Sequence, residues 1–311
     1  CELNPAHRAF VVIENGVDVL YVRLLKALYG CVQSALLWYE LFSNTLQDMG
    51  FTLNPYDQCV ANCDIEGSQC TICWYVDDTK ISHKDPAVVT AVIQKLESHF
   101  NKMKVTRGDH HVFLGMHIDY HRHSHTATIS MRDYLTEAIT ESSLSITKSA
   151  RTPAGINLFT IDEASPPLSP TSRDVFHSVV AKLLYVSLRG RMDILLTTSF
   201  LATRVTKSTQ QDLKKLRRLL EYISGSLNDT FTLGADDLGR LRTWIDASYA
   251  VHPDFKSHTG GAISFGRGAL VCKSTKQKLN TKSSTEAETV GASDYLPHTI
   301  WVKYFMEAQG Y

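Results

Sequence analysis

An apolar run, QCTICWYV from Gln69 to Val76, ends directly on two aspartates, Asp77 and Asp78. The run has the length and the aromatic and β-branched content of a buried strand. The paired carboxylates therefore sit at the rim of a core. Consecutive strand residues point to opposite faces, but at a hairpin turn both side chains can be brought near one point. Two close carboxylates repel unless they are solvated, one is protonated, or a divalent cation lies between them. A polar turn after a strand accounts for an isolated Asp-Asp pair. Here Trp74, Tyr75 and Val76 lead straight into the pair, which weakens that reading, and oxygen ligands of this kind suit Mg2+.

The surrounding chain reads as mixed helix and strand. FVVIENGVDVLYVRL carries two β-rich runs around Asn15-Gly16, a hairpin signal. SALLWYELFSNTLQDMGF predicts a helix with Leu37, Glu40/Leu41 and Leu46 in helical spacing and a stop at Gly50. Asp85 and Pro86 open the next helix as N-cap and first turn, with a stripe of Val89, Ile93, Leu96 and Phe100. HVFLGMHIDY and TATISM alternate like a hairpin about the tip HRHSH. Arg151–Asp174 holds four of the nine prolines and predicts a linker. Two buried helices around Gly190 follow, then a helix started by a Ser208/Gln211 capping box, with Leu213, Leu216, Leu220 and Ile223 facing the core. LRTWIDASYAV and GGAISFGRGALVCKS predict strands, and STEAETVGASDYLPHTIWVKYFMEA a helix interrupted at Pro297. Together they suggest a small α/β unit.

The formal net charge is zero, so a polyanionic partner is not signalled by the chain as a whole. Two local stripes are basic: Arg204–Arg218, with six cations against Asp212, and Arg267–Lys282, with Arg267, Lys273, Lys276, Lys278 and Lys282 and no acid. Such stripes can track phosphates or be a solvated helix face. The seven cysteines lack a disulfide-framework spacing, and no apolar run reaches the ~20 residues of a membrane span. An intracellular setting and no membrane partner are expected. Cys70 and Cys73, three apart on a strand, put their thiols on opposite faces, which argues against zinc at Cys59, Cys63, Cys70 and Cys73. The chain opens at Cys1 without methionine and is expected to be a piece of a longer protein.

Tyr75-Val76-Asp77-Asp78 resembles the YVDD box of reverse transcriptases, and KALYGCVQSALLWYE resembles a segment of copia-type LTR retrotransposon Pol polyproteins. FLGMHI, SVVAKLLYVS, RLLEYISGS, DASYA, SHTGGAISF and STKQKLNTKSSTEAE follow in that family's order, so the resemblance spans nearly the whole chain. It implies an α+β fold with four parts: residues 1–150 as the later palm and thumb-like region of a reverse transcriptase, 151–174 as linker, 175–236 as helical connection, and 237–311 as the first part of an RNase H-like domain. It implies RNA-directed DNA polymerisation with RNase H cleavage of the hybrid, both by two-metal chemistry with Mg2+, or Mn2+ as the alternative.

Residue by residue, the resemblance assigns Asp77 and Asp78 as polymerase metal ligands and catalytic carboxylates. Tyr75 falls near the primer end, and Gln33 near the incoming nucleotide and template. Asp246 and Glu286 match the first two RNase H carboxylates. A Ser283/Glu286 capping box is the structural alternative for Glu286, and Glu288 is its neighbouring competitor. Lys273, Lys276 and Lys278 become candidate contacts to nucleic acid. The third polymerase aspartate and the later RNase H carboxylates have no match in the chain. Departures are mild: the family's basic-plus-proline KQAPR reads Val32-Gln33-Ser34-Ala35-Leu36, without its two positive charges. The implied partners are an RNA template, a DNA primer, the RNA–DNA hybrid, dNTPs and the remainder of a Gag-Pol polyprotein. The implied residence is a cytoplasmic virus-like particle or the nucleus. The alternative is a catalytically dead, nucleic-acid-binding or degenerate remnant.

Overall fold

A computed structural model describes residues 4–28 and 30–311. Cys1, and Tyr29 of the ALYG segment, lie outside them. The fold is α+β, and the chain divides into two compact units between Asn101 and Lys102.

In the first unit, Val11–Glu14 (β1) and Val17–Leu20 (β2) pair antiparallel around Asn15 and Gly16, both at positive φ, as the Asn-Gly turn requires. Val32–Asp48 forms helix α1, and Gly50 at φ +93° follows its end. Its buried face is Phe42, Ser43, Thr45 and Leu46. Leu37 and Leu41, expected inside, are 51% and 56% exposed. Aromatic bulk decides the difference, because Phe42 packs its ring on Trp74 at 5.2 Å and turns the helix toward that contact. Thr52–Asn54 (β3), Asp57–Ile65 (β4), Ser68–Tyr75 (β5) and Asp78–Ser82 (β6) form an antiparallel sheet in chain order. Pro86–His99 (α2) starts as expected, with the Asp85 carboxylate accepting the Ala87 amide at 2.7 Å. Its fully buried positions are Val88, Val92 and Leu96; Leu96 belongs to the expected stripe, and the other two lie one residue before the expected Val89 and Ile93. Val89 and Ile93 are half-buried beside them.

The second unit is built around a five-stranded sheet. His110–Phe113 (β7), Met116–His121 (β8) and Thr126–Ser130 (β9) run antiparallel, and Leu114-Gly115 supplies a tight turn that divides HVFLGMHIDY in two. Phe231–Ala235 (β10) pairs with β9, Ala127 opposite Leu233, and Gly266–Arg267 (β13) closes the order β13-β10-β9-β8-β7. Helices Arg132–Glu141 (α3), Pro170–Ser187 (α4), Leu195–Ala202 (α5) and Gln210–Gly225 (α6) pack on one another and share a core with the sheet. Ile118 and Ile129 of the sheet share one core with Leu135, Phe176, Leu183, Phe200 and Leu220.

The proline-rich segment connects, and it also packs. Leu158 and Leu168 enter that core, Pro166 accepts the Gln210 amide at 2.9 Å, and the Gln211 side chain accepts the Asp162 amide at 2.9 Å. Gln211 is thus drawn away from the helix start. The capping box of α6 is Thr209 with Asp212, one residue beyond the expected Ser208/Gln211 pair.

The last part is an antiparallel sheet of Arg242–Ser248 (β11), His258–Ser264 (β12) and Val271–Lys276 (β14), with Ser284–Ala308 (α7) across β11 and β12. Helix α7 runs through Pro297 without a break, because Tyr295 and Val302, on either side of the proline, bury in one core with Ile263 and Phe265. Gly261 makes the close approach possible: a Cβ there would lie 2.2 Å from the Tyr295 ring.

Candidate active site

Tyr75 pairs with Asp78 across the β5–β6 hairpin, leaving Val76 and Asp77 as a two-residue turn. The sheet thus delivers both aspartates to one tip, Asp77 in the turn and Asp78 as the first residue of β6. Tyr75 is 61% exposed beside them. Val76 has φ +54°, a conformation that suits glycine and is a true outlier for a β-branched residue. Its carbonyl oxygen accepts a hydrogen bond from the Trp38 indole N–H of α1, at 2.5 Å. Trp38 was not singled out in sequence. It lies in the ALLWYE segment, but nothing local shows that its indole reaches a turn 38 residues downstream. Gln33 is exposed in the first turn of the same helix.

The donor set at this tip is all oxygen and doubly negative, which fits Mg2+, an ion held by one or two protein carboxylates together with substrate phosphates. Among the described residues no group of three or more His, Cys, Asp or Glu side chains forms a closed metal cage.

The carboxylates of the C-terminal sheet lie in the second unit. Asp246 is exposed on β11. Glu286 turns back on the helix start, its Oε2 accepting the Lys282 amide at 2.6 Å while the Ser283 hydroxyl accepts the Glu286 amide at 3.1 Å. Ser283 is thus the N-cap of α7, and the Glu286 carboxylate bonds to the amide just before it. Glu288, two residues on, reaches β11: its Oε1 accepts the amide of Ala247, the neighbour of Asp246, at 3.2 Å.

The lysines divide. Lys276 pairs with Asp254 at 2.7 Å, Lys273 Nζ lies 2.6 Å from His298 Nε2, and Lys278 is exposed. In the Arg204–Arg218 stripe four of the six cations bond to groups of the protein, while Lys207 and Lys214 are exposed. Arg204 is buried against Asp212, Lys215 donates to the Thr160 carbonyl at 2.6 Å, Arg217 to the Ser145 carbonyl at 3.0 Å, and Arg218 to the Thr152 hydroxyl at 2.8 Å. Arg204, Lys215, Arg217 and Arg218 are thus held by the protein's own acceptors.

The strand hairpin thus carries paired aspartates at its tip, with the turn bonded to the aromatic face of α1. Residues 10–155 match the reverse transcriptase (RNA-dependent DNA polymerase) family, and this stretch is a reverse transcriptase domain. More particularly, the chain is similar over most of its length to Pol proteins of copia-type LTR retrotransposons. It is 28% identical over 286 residues to the putative transposon Ty5-1 protein YCL074W of Saccharomyces cerevisiae, covering 91% of each chain. It is 26% identical over 305 residues to the retrovirus-related Pol polyprotein from transposon TNT 1-94 of Nicotiana tabacum, covering 95% of this chain and 22% of that one. It is 26% identical over 288 residues to the Pol polyprotein from transposon RE1 of Arabidopsis thaliana, covering 90% and 19%. The chain thus spans about a fifth of the length of those two plant polyproteins. The family match crosses the boundary between the two compact units, taking in the β7–β9 strands of the second. No helix among the described residues is long and apolar enough to cross a membrane.

Proposed function

We propose that the chain is the part of a retrotransposon Pol polyprotein that carries the Asp77–Asp78 edge of an RNA-directed DNA polymerase and the opening part of an RNase H-like domain. The observation that carries this reading is the two-residue turn that presents Asp77 and Asp78 together at a strand tip inside the reverse transcriptase match. The first unit supplies palm elements, residues 102–150 a thumb-like region, 175–236 a helical connection, and 237–311 the RNase H-like part.

In this reading Asp77 and Asp78 hold divalent cations, Mg2+ or Mn2+. When bound, such ions activate the primer 3′-hydroxyl and stabilise charge on the nucleotide phosphates. The chain's own contribution is positional. The β5–β6 register fixes the spacing of the two carboxylates, and exposed Tyr75 presents a ring beside the primer end. Gln33 lies on α1, facing solvent where template and nucleotide arrive. At the second site Asp246 acts with Glu288, the competitor of Glu286 in this role; the bond from the Ala247 amide to Glu288 and that from the Lys282 amide to Glu286 support this choice. Lys278 is an accessible cation for the hybrid, as are Arg267 and Lys282 of the same stripe, with Lys273 and Lys276 nearby in the chain. Template RNA, DNA primer, hybrid and dNTPs are the proposed partners, with the rest of Gag-Pol in a virus-like particle.

The test is primer extension on an RNA template by the Pol protein containing this chain. Asp77→Asn is expected to abolish extension, and retained extension refutes the site. Asp246→Asn and Glu288→Gln are expected to remove hybrid cleavage and leave extension.

A further inference from the structure

Val76 is the first residue of a two-residue hairpin loop, and it alone of the loop pair takes positive φ. That pattern is a type II′ turn, whose first position is normally glycine because a side chain there crowds the backbone. Valine, branched at Cβ, is among the residues least suited to it. A turn that its own sequence disfavours has to be held from outside. The Trp38 indole supplies that hold by donating to the Val76 carbonyl. The indole is itself fixed: its ring stacks on Phe42 at 5.6 Å and 22°, and tilts against Phe100 at 5.4 Å. Phe42 in turn packs on Trp74, the residue before Tyr75. The helix therefore grips the strand and the strand's own turn through one aromatic cluster.

We infer that Trp38 is a positioning residue for the Asp77–Asp78 edge, holding the Val76–Asp77 peptide in the orientation that keeps both carboxylates at the tip. This inference rests on the proposed reading of those aspartates as cation ligands. Without the donor, Val76 relaxes to negative φ, the carbonyl leaves the indole, and the Asp77 side chain is carried away from Asp78.

The test uses the 311-residue chain with Mn2+ as the probe. Trp38→Phe keeps an aromatic ring for Phe42 and Phe100 and removes the donor, with the smaller ring's packing loss controlled by a double variant. It is expected to weaken Mn2+ binding about tenfold, the scale on which orienting partners of metal ligands act. Adding Val76→Gly is expected to restore binding, because glycine takes positive φ unaided. A general packing defect at Trp38 would not be rescued in this way. Equal Mn2+ affinity in Trp38→Phe, or no rescue in the double variant, overturns the inference. Amide hydrogen exchange decides separately from the metal. Trp38→Phe is expected to speed exchange at the Val76–Asp78 amides roughly tenfold through local opening, with the rest of the sheet unchanged. Unchanged exchange there overturns the inference as well. If Asp77→Asn leaves Mn2+ binding intact, the metal reading of the site fails, and the exchange result alone then decides the role of Trp38.

Discussion

Arg204 and Asp212 meet inside the second unit, the guanidinium Nε 3.2 Å from both carboxylate oxygens and the two side chains 6% and 0% exposed. The same carboxylate accepts the Thr209 amide at 2.9 Å and closes the capping box of α6. One side chain therefore neutralises a buried cation and starts a helix. Removing one partner of a buried pair strands the other without water. Asp212→Ala is expected to destabilise the unit by about 3 kcal/mol or more. Chemical denaturation measures it, and a loss below about 1 kcal/mol would show that Arg204 finds another acceptor. The loss should change little with added salt, because buried pairs are weakly screened.

Gly261 and Gly260 are adjacent on β12 and face opposite sides of the sheet. A Cβ at Gly261 would meet three Tyr295 ring atoms at 2.2–2.5 Å, whereas one at Gly260 meets nothing within 4 Å. Gly261→Ala is expected to cost about 2 kcal/mol or more through overpacking, and Gly260→Ala close to nothing. Paired melting curves of the two variants are the measurement. Equal losses would mean that backbone freedom, and not the Tyr295 contact, requires glycine at Gly261.

His252 and His258 are buried together, Nε2 to Nδ1 3.0 Å, beneath the Phe159 ring, and His258 Nε2 lies 2.7 Å from the Ser274 hydroxyl. Burial first, and then the neighbouring His252, push His258 down to about 4. Burial and Lys276 lower His252, with Asp254 opposing. Both folded values lie below the ordinary 6.5, so the unfolded chain takes up protons that the folded chain refuses. Stability from this pair is fully present above about pH 6.5 and is lost as pH falls toward 4, by on the order of 2 kcal/mol. Denaturation midpoints across that window should fall with pH, and His258→Gln should flatten the fall.

Lys278 is exposed, whereas Arg217 is committed to the Ser145 carbonyl. If Lys278 meets a hybrid's phosphates, Lys278→Gln should lower the slope of log affinity against log salt by about 0.7 to 0.9. Arg217→Gln should leave the slope unchanged. Fluorescence titration of an RNA–DNA hybrid at several salt concentrations reads both, and the reverse ranking would return the contact to the α6 face.

Much of the fold can be read locally. Asn15-Gly16, Asp85-Pro86 and the Asp77–Asp78 tip each carry their geometry in two adjacent residues, and the structure follows them. Choices between near-equal local options were settled by partners distant in sequence. Trp74 turns the Phe42 face of α1 inward, the proline-rich segment occupies Gln211 so that the α6 cap falls on Thr209, and Glu288 bonds to β11 while Glu286 bonds at the helix start. The Trp38–Val76 bond belongs to the same class. The strained turn is written in YVDD, but the donor that holds it is recognisable only once α1 lies beside the sheet.

The pairing of β9 with β10 sets an order of events during synthesis. Ala127 waits for Leu233, and the helices α3 to α6 emerge between them. On a ribosome the β7–β9 strands leave the exit tunnel with one long edge open and acquire their fourth strand only after that helical layer has been made. Pairing over such separations is slow and leaves an edge exposed to other chains in the interval. Nascent copies crowded on a polysome would therefore be most prone to exchange strands at β9, and spacing or chaperone cover during that interval governs how much of the second unit matures as a monomer.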